Sequence, residues 1–259
     1  MHRLFGAGQP AAGGVQRHAE KGMVISMKES IYSIPISEVF EPKCGCPLCS
    51  LYQALEERWV EYITGAAMME PDIRVETNRH GFCSRHFDMM LAQRNRLSVA
   101  LILQTRLDWI NQSLNEEPKA AGLFKKEDPA RDSCFVCQKI ENEFTRIGSN
   151  LVSIWSKETD FRQLYSQQEF LCYPHGKMLL DAGRSSLKRD KLAEFSAATS
   201  ALIRKQLTPL KADIDSFCNL FDYRNAGGPQ PPASVATAIE RAIAFLTGAD
   251  QAGDSPEKP

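Results

Sequence analysis

Between residues 47 and 225, apolar side chains recur at intervals of three and four. Glycine and proline are sparse there, and no stretch alternates apolar with polar residues as a half-buried strand would. The expected fold is therefore all-α. Two stretches read as seams for helix-on-helix contact: Ala100, Leu103, Leu107, Ile110 and Leu114, and then Ile203, Leu207, Leu210, Ile214, Phe217 and Phe221. Thr208-Pro209 falls inside the second seam, where proline either starts a new helix or kinks a continuous one. Upstream, Ile31, Ile34, Ile36, Val39 and Phe40 form a short apolar lead-in. Downstream, a helix with Ser234 as its expected N-cap carries Val235, Ile239, Ile243 and Leu246 on one face.

The helical pattern occurs twice. Cys46-Pro47-Leu48-Cys49 is followed by Cys83-Ser84-Arg85-His86, and Cys134-Phe135-Val136-Cys137 by Cys172-Tyr173-Pro174-His175. At an offset of 88 residues, Leu48, Tyr52, Trp59 and Ile63 fall on Val136, Ile140, Ile147 and Leu151. At an offset of 89, Phe82, Met89, Met90 and Leu91 fall on Leu171, Met178, Leu179 and Leu180. The match extends beyond the cysteines into residues of one helical face, as a duplication predicts. The organisation read from this is a leader over residues 1–26, a first module over 27–118, a linker over 119–132 and a second module over 133–225. Residues 226–259 then hold a Gly/Pro-rich linker, a short helix and a frayed tail.

Each copy supplies three thiolates and one imidazole, a full tetrahedral ligand set for zinc. Cysteines two residues apart on a tight turn can both reach one ion, and a helix start adds free N–H groups and the positive end of its dipole to hold thiolate charge. The expectation is two structural zinc ions, one per copy: Cys46, Cys49, Cys83 and His86 on the first, and Cys134, Cys137, Cys172 and His175 on the second. Iron–sulfur ligation and redox-active dithiols are the alternative chemistries. With all positions filled by protein, such sites build a fold and do not carry out a reaction.

Composition narrows the function classes. With 43% hydrophobic residues in 259, the chain can bury a core without metal. Its 31 basic and 32 acidic residues leave no long-range field to draw nucleic acid or an anionic membrane, so neither is an expected partner. The longest apolar run, Leu97–Leu103, is interrupted by Ser98 and falls well short of the roughly 18–20 residues of a membrane span. The first 26 residues hold no apolar core of the kind that marks a secretory signal, so the expected location is cytoplasmic, where thiols stay reduced and CxxC reads as metal ligation. The expected partner is a protein or small molecule that the sequence does not name, and an oligomer is compatible with it.

Other residues admit a second chemistry. Cys44 adds a thiol beside the first knuckle and could serve a zinc-ejecting redox switch, the basis of the alternative reading as a thiol/zinc redox sensor. His80, with Glu70, Asp72, Glu76 and Asn78 nearby, could be sketched as a general acid–base site, although a polar loop bracing the second knuckle accounts for the same residues. An enzyme with a pocket between the halves, lined by Glu76, Asn78 and Arg224, is the third reading; it has no identifiable nucleophile or base. Cys218 reads as a small core residue beside Phe217, and Asp222-Tyr223-Arg224-Asn225 as a helix C-cap. The basic pairs Lys125-Lys126 and Lys188-Arg189 lack the interleaved aromatics of a single-strand platform.

Lys28-Glu29-Ser30-Ile31-Tyr32, Cys46-Pro47-Leu48-Cys49, Arg74-Val75-Glu76-Thr77-Asn78 leading into Gly81-Phe82-Cys83, Asn95-Arg96-Leu97 and Phe221-Asp222-Tyr223-Arg224-Asn225 together resemble an uncharacterised bacterial family, a domain of unknown function. Its members are sometimes labelled ABC-transporter substrate-binding proteins. The resemblance covers roughly residues 27–246 and implies the duplicated cysteine–histidine arrangement and no established activity. The α/β binding-lobe pattern that the transporter label calls for is missing from this sequence.

Overall fold

The computed structural model describes residues 36–43, 45–115, 133–221 and 231–248. Several expectations lie outside the described residues: the leader over 1–26, Cys44, the linker over 119–132 with Lys125-Lys126, the Asp222–Asn225 cap and the tail beyond 248. Among the described residues every regular element is a helix, and no helix is long and apolar enough to cross a membrane.

The chain runs through α1 (Ile36–Phe40), α2 (Pro47–Thr64), a 3-10 turn (Ala66–Met69), α3 (Pro71–His80), α4 (Ser84–Ala92) and α5 (Arg96–Asn115). It continues with α6 (Phe135–Lys157), α7 (Thr159–Ser166), α8 (Tyr173–Ser186), α9 (Arg189–Asn219), α10 (Ala233–Ala236) and α11 (Ala238–Thr247). The order from α2 to α5 recurs from α6 to α9: a long helix behind CxxC, a short one, a helix opened by CxxH, and a second long one. Gly81, at φ +75°, provides the left-handed turn by which α3 passes into the Cys83 knuckle. Proline takes first-turn positions in α2, α3 and α8, where its missing N–H costs no intrahelical bond.

The apolar face shared by the two copies forms the core. Leu48 and Ile63 on α2, and Val136, Ile140 and Leu151 on α6, are fully buried, and the two helices lie against each other. α6 and α9 both contact α8, where the approach is close enough that a Cβ on Gly176 would stand 2.5 Å from Ile203 Cδ1. An aromatic cluster joins distant parts of the chain. Phe40 of α1 meets Phe161 and Tyr165 of α7 at centroid distances of 5.4 and 5.9 Å, and Phe195 of α9 lies between Tyr165 and Trp155. The Tyr165 hydroxyl is 2.8 Å from that of Thr199, and Gln168 Nε2 donates to the Phe40 carbonyl. Phe40, the end of the lead-in to the first copy, is thus built into the second.

Three sequence expectations are corrected. The α5 seam faces outward: Ala100, Leu103, Leu107 and Leu114 are exposed, while α5 lies on α3 through a different face that buries Ser98, Val99 and Ile102. Periodicity finds the apolar stripe, but it does not say whether a neighbour covers it. At the C-terminus the helix breaks at Thr237, so Val235, Ala238 and Phe245 go inward and Ile239, Ile243 and Leu246 stay exposed; the N-cap of α10 is Pro232, not Ser234. Cys218 is exposed on the far end of α9 instead of lying in the core. Of the two readings of Thr208-Pro209, the restarted helix is set aside, because α9 runs continuously through Pro209.

These placements give opposite expectations for two leucine-class positions on α5. Ile102→Ala is expected to cost about 2–5 kcal/mol by opening a cavity. Leu107→Gln, at a side chain 62% exposed, is expected to change stability by no more than about 0.5 kcal/mol. Urea denaturation of the two variants measures both, and a large loss in Leu107→Gln would show that this face is covered in solution.

Candidate metal centres

All four half-motifs are folded alike. Cys46, Cys83, Cys134 and Cys172 are the N-caps of α2, α4, α6 and α8, with extended backbone, and the second residue of each pair lies three positions on, in the first helical turn. That spacing puts both donor atoms on one side of a helix end, among N–H groups that have no intrahelical acceptor.

The half-motifs then pair crosswise between the copies. One group comprises Cys46, Cys49, Cys172 and His175, and the other Cys83, His86, Cys134 and Cys137, with the donor atoms of each group all within 4.8 Å of one another. The expectation that each copy completes its own tetrahedron is therefore overturned: the CxxC of each copy meets the CxxH of the other. Each group joins two helix N-termini, α2 with α8 and α6 with α4.

The separations fit a single tetrahedral ion. Metal–sulfur bonds of about 2.3 Å and metal–nitrogen bonds of about 2.0–2.1 Å imply S···S edges near 3.8 Å and S···N edges near 3.5 Å. In the first group, Cys172 Sγ is 3.7 Å from Cys46 Sγ and 3.6 Å from Cys49 Sγ. His175 Nδ1 lies 3.7, 3.4 and 3.1 Å from the sulfurs of Cys46, Cys49 and Cys172. In the second group, His86 Nδ1 is 3.1 Å from Cys83 Sγ, 3.1 Å from Cys134 Sγ and 3.5 Å from Cys137 Sγ.

The electrostatics of both groups are those of crowded thiols that a cation would relieve. In the first, burial raises the Cys46 thiol, but hydrogen bonds from Cys172, Cys49 and His175 outweigh it and hold Cys46 well below the usual thiol range. Cys172 is pushed up to about 12, chiefly by its contact with Cys46, and Cys49 is driven up by Cys172 and Cys46. In the second, burial opposes ionisation of Cys134, yet His86 and the backbone N–H groups of Cys137 and Cys83 bring it down to about 6. Burial and the charge of Cys134 push Cys137 up to about 12. The pattern is one thiolate suppressing its neighbours, and a divalent ion bound at the centre would let all three sulfurs ionise together.

The outer supports differ between the groups. Glu56, on α2 and only 1% exposed, stands with Oε1 3.3 Å from His86 Nε2, the ring nitrogen turned away from the sulfurs. Arg85 donates to both carboxylate oxygens, from Nε at 2.9 Å and Nη2 at 2.5 Å. Burial disfavours the Glu56 charge, but His86 and Arg85 more than offset this and hold the carboxyl below its ordinary range. Burial lowers His86, while Cys134 and Glu56 raise it more, up to about 10. From this position Glu56 would orient the His86 imidazole if a metal were bound to its other nitrogen. At the 88-residue offset the counterpart of Glu56 is Phe144, whose ring centroid lies 5.3 Å from that of His175. Sequence reasoning missed Glu56; the available signal was one carboxylate on the apolar face of α2, seven residues beyond Cys49.

Further contacts tie each pair of knuckles together. Around the second group, Phe135 N–H donates to the Gly81 carbonyl and His80 Nδ1 is 2.8 Å from Ser133 Oγ; the residues read from sequence as a polar loop are instead helix α3, with Glu70 as its N-cap and His80 its last residue. Arg106 Nη1 donates to the Asn78 carbonyl, and Glu76 pairs with Lys139. Around the first group, Gly45 N–H donates to Glu169 and Lys43 to Gln167. The α11 C-cap Gly248, at φ +76°, brings its carbonyl oxygen to 3.2 Å from Cys49 Sγ.

Glu56→Gln is expected to weaken metal binding at one of the two groups roughly 10–100-fold and leave the other unchanged. Competition titration against a colorimetric chelator reads this as the splitting of two tight equivalents into one tight and one weaker.

Searches of curated proteins and of solved structures find no match to the chain. Residues 27–253 match the family of unknown function DUF6062, and the chain belongs to that family.

Proposed function

We propose that the protein is a zinc-binding scaffold, in which two structural Cys3His ions fasten the first copy of a duplicated helical unit to the second, and that its work is to hold a partner. The observation that carries this reading is the crosswise ligand pairing: each ion would draw two ligands from residues 27–118 and two from 133–225. Four protein ligands per ion leave no open position for substrate or activated water, which favours a structural role over catalysis. Donor atoms gathered within 4.8 Å suit a single ion better than an iron–sulfur cluster, and a cysteine-rich set with imidazole suits zinc. The recurring helix order and the offsets of 88 and 89 residues support duplication. The reading places the chain in a reducing compartment, the cytoplasm, where free thiols persist to bind metal. Exposed apolar stripes on α5 and α11 are where a protein partner would find surface to bury.

Elemental analysis of the purified chain is expected to give two zinc ions per chain. Structural zinc is worth roughly 10–16 kcal/mol of apparent binding free energy in peptides, against about 5–15 kcal/mol for the stability of a whole domain. Complete metal removal is therefore expected to abolish most of the helical circular dichroism, and an unchanged spectrum would refute a structural role.

Paired substitutions test the crossing itself. Cys49→Ser with Cys172→Ser removes two ligands from one group and is expected to leave one tightly held ion. Cys49→Ser with Cys83→Ser removes one ligand from each group and is expected to leave none. The opposite pattern would mean that each copy closes its own site.

A further inference from the structure

The two groups differ in how solvent reaches them. In the Cys46/Cys49/Cys172/His175 group all three cysteines are buried, at 4%, 5% and 1% exposure. Phe144 and Tyr52 wall its imidazole, with ring centroids 5.3 and 6.5 Å from that of His175. The end of α11 also lies against the group, with the Gly248 carbonyl oxygen 3.2 Å from Cys49 Sγ. A Cβ placed on Gly248 would stand 3.5 Å from Pro174 Cγ, 3.7 Å from His175 Cε1 and 3.8 Å from Cys172 Sγ, so backbone lies directly over the donor atoms. Phe245, fully buried one turn earlier, anchors that end. In the Cys83/His86/Cys134/Cys137 group His86 and Cys134 are buried, at 0% and 9% exposure, while Cys83 and Cys137 are both partly exposed. Its support is a charged pair, Glu56 with Arg85, whose side chain is 68% exposed.

Metal leaves a four-ligand site when an incoming donor forms a bond to the ion, a metal–sulfur bond breaks, and the departing thiolate takes a proton from solvent. That sequence needs an approach path to the ion and a sulfur that water can reach. We propose that the two sites are kinetically unequal: the Cys83/His86/Cys134/Cys137 site exchanges its zinc with thiol or chelating donors in solution, while the site beneath Gly248 retains its ion until α11 opens. The proposal rests on the reading of both groups as zinc sites. Its consequence is directional. Emptying the exchangeable site releases α4 from α6 and leaves the α2–α8 junction fastened, so the ends of α3 and α4 loosen while the rest of the molecule stays assembled.

The test uses the full chain loaded with two zinc equivalents and mixed with excess 4-(2-pyridylazo)resorcinol. Two release phases of one equivalent each are expected, with rates differing about tenfold or more, since local openings span a wide range of free energies. Cys137→Ser is expected to remove the fast phase and keep the slow one. Gly248→Val, which forces a β-branched residue into left-handed backbone, is expected to speed the slow phase and leave the fast one unchanged. Pulse alkylation of the unsubstituted chain assigns the phases without any variant: Cys83, Cys134 and Cys137 should be modified with the fast phase, and Cys46, Cys49 and Cys172 with the slow one. A single release phase, or labelling in the reverse order, would overturn the inequality while leaving two zinc sites in place. A chain that takes up fewer than two equivalents would overturn the two-site reading itself before any release is measured.

Discussion

The meeting of helix N-termini in crosswise pairs is the constraint on which the rest of the structure depends. Each CxxC or CxxH begins a helix, so its donor atoms project from the helix end among unpaired N–H groups. Two such ends can share a tetrahedron only if the helices approach from different directions. The pairing joins α2 to α8 and α4 to α6, residues more than 120 positions apart in the first case and about 50 in the second. Helices already joined by apolar contact and a few hydrogen bonds would acquire fixed starting points from a bound ion. The placing of Phe40 against α7 and α9, the contact of α2 with α6 and the close approach at Gly176 are all compatible with those points.

α2 has a particular place in this arrangement. Its first turn supplies Cys46 and Cys49 to one group, and two turns later Glu56 supports His86 in the other. One rigid helix therefore touches both centres, and a rotation of α2 that suits one disturbs the other. In the second copy the equivalent helix, α6, supplies Cys134 and Cys137 to its own group and Phe144 to the opposite histidine. The two centres share a plan and differ in its chemistry: a buried carboxylate held by arginine at one, an aromatic wall and a glycine cap at the other. Charge near the Cys83/His86/Cys134/Cys137 group and apolar enclosure of the Cys46/Cys49/Cys172/His175 group accompany that difference in residue type, together with the position of α11.

Much of this was legible in the chain. The helix period identified an all-α protein, and the offsets of 88 and 89 residues brought out both the cysteines and histidines that cluster and the buried faces of α2 and α6. Other features were not legible, each for a physical reason. Leu103, Leu107 and Leu114 have the spacing of a packed seam, yet spacing reports which side chains share a face and not whether another element lies there. Ile239 and Ile243 were placed inward by a continuous helical register that the break at Thr237 interrupts. Glu56 looked like one carboxylate among many, because its burial depends on where Arg85 and His86 arrive from another part of the chain.

The sequence by itself determined the donor set, the helix starts that present it and the recurrence of the unit, because these depend on residues a few positions apart. Tertiary structure alone decided which half-motif meets which. Three sulfurs and one imidazole satisfy a tetrahedron equally well from one copy or from two, so local chemistry is silent on the choice. It is settled by long-range fit, through the α2–α6 interface, the seating of Phe40 in the second copy and the short links from Phe135 to Gly81 and from Gly45 to Glu169.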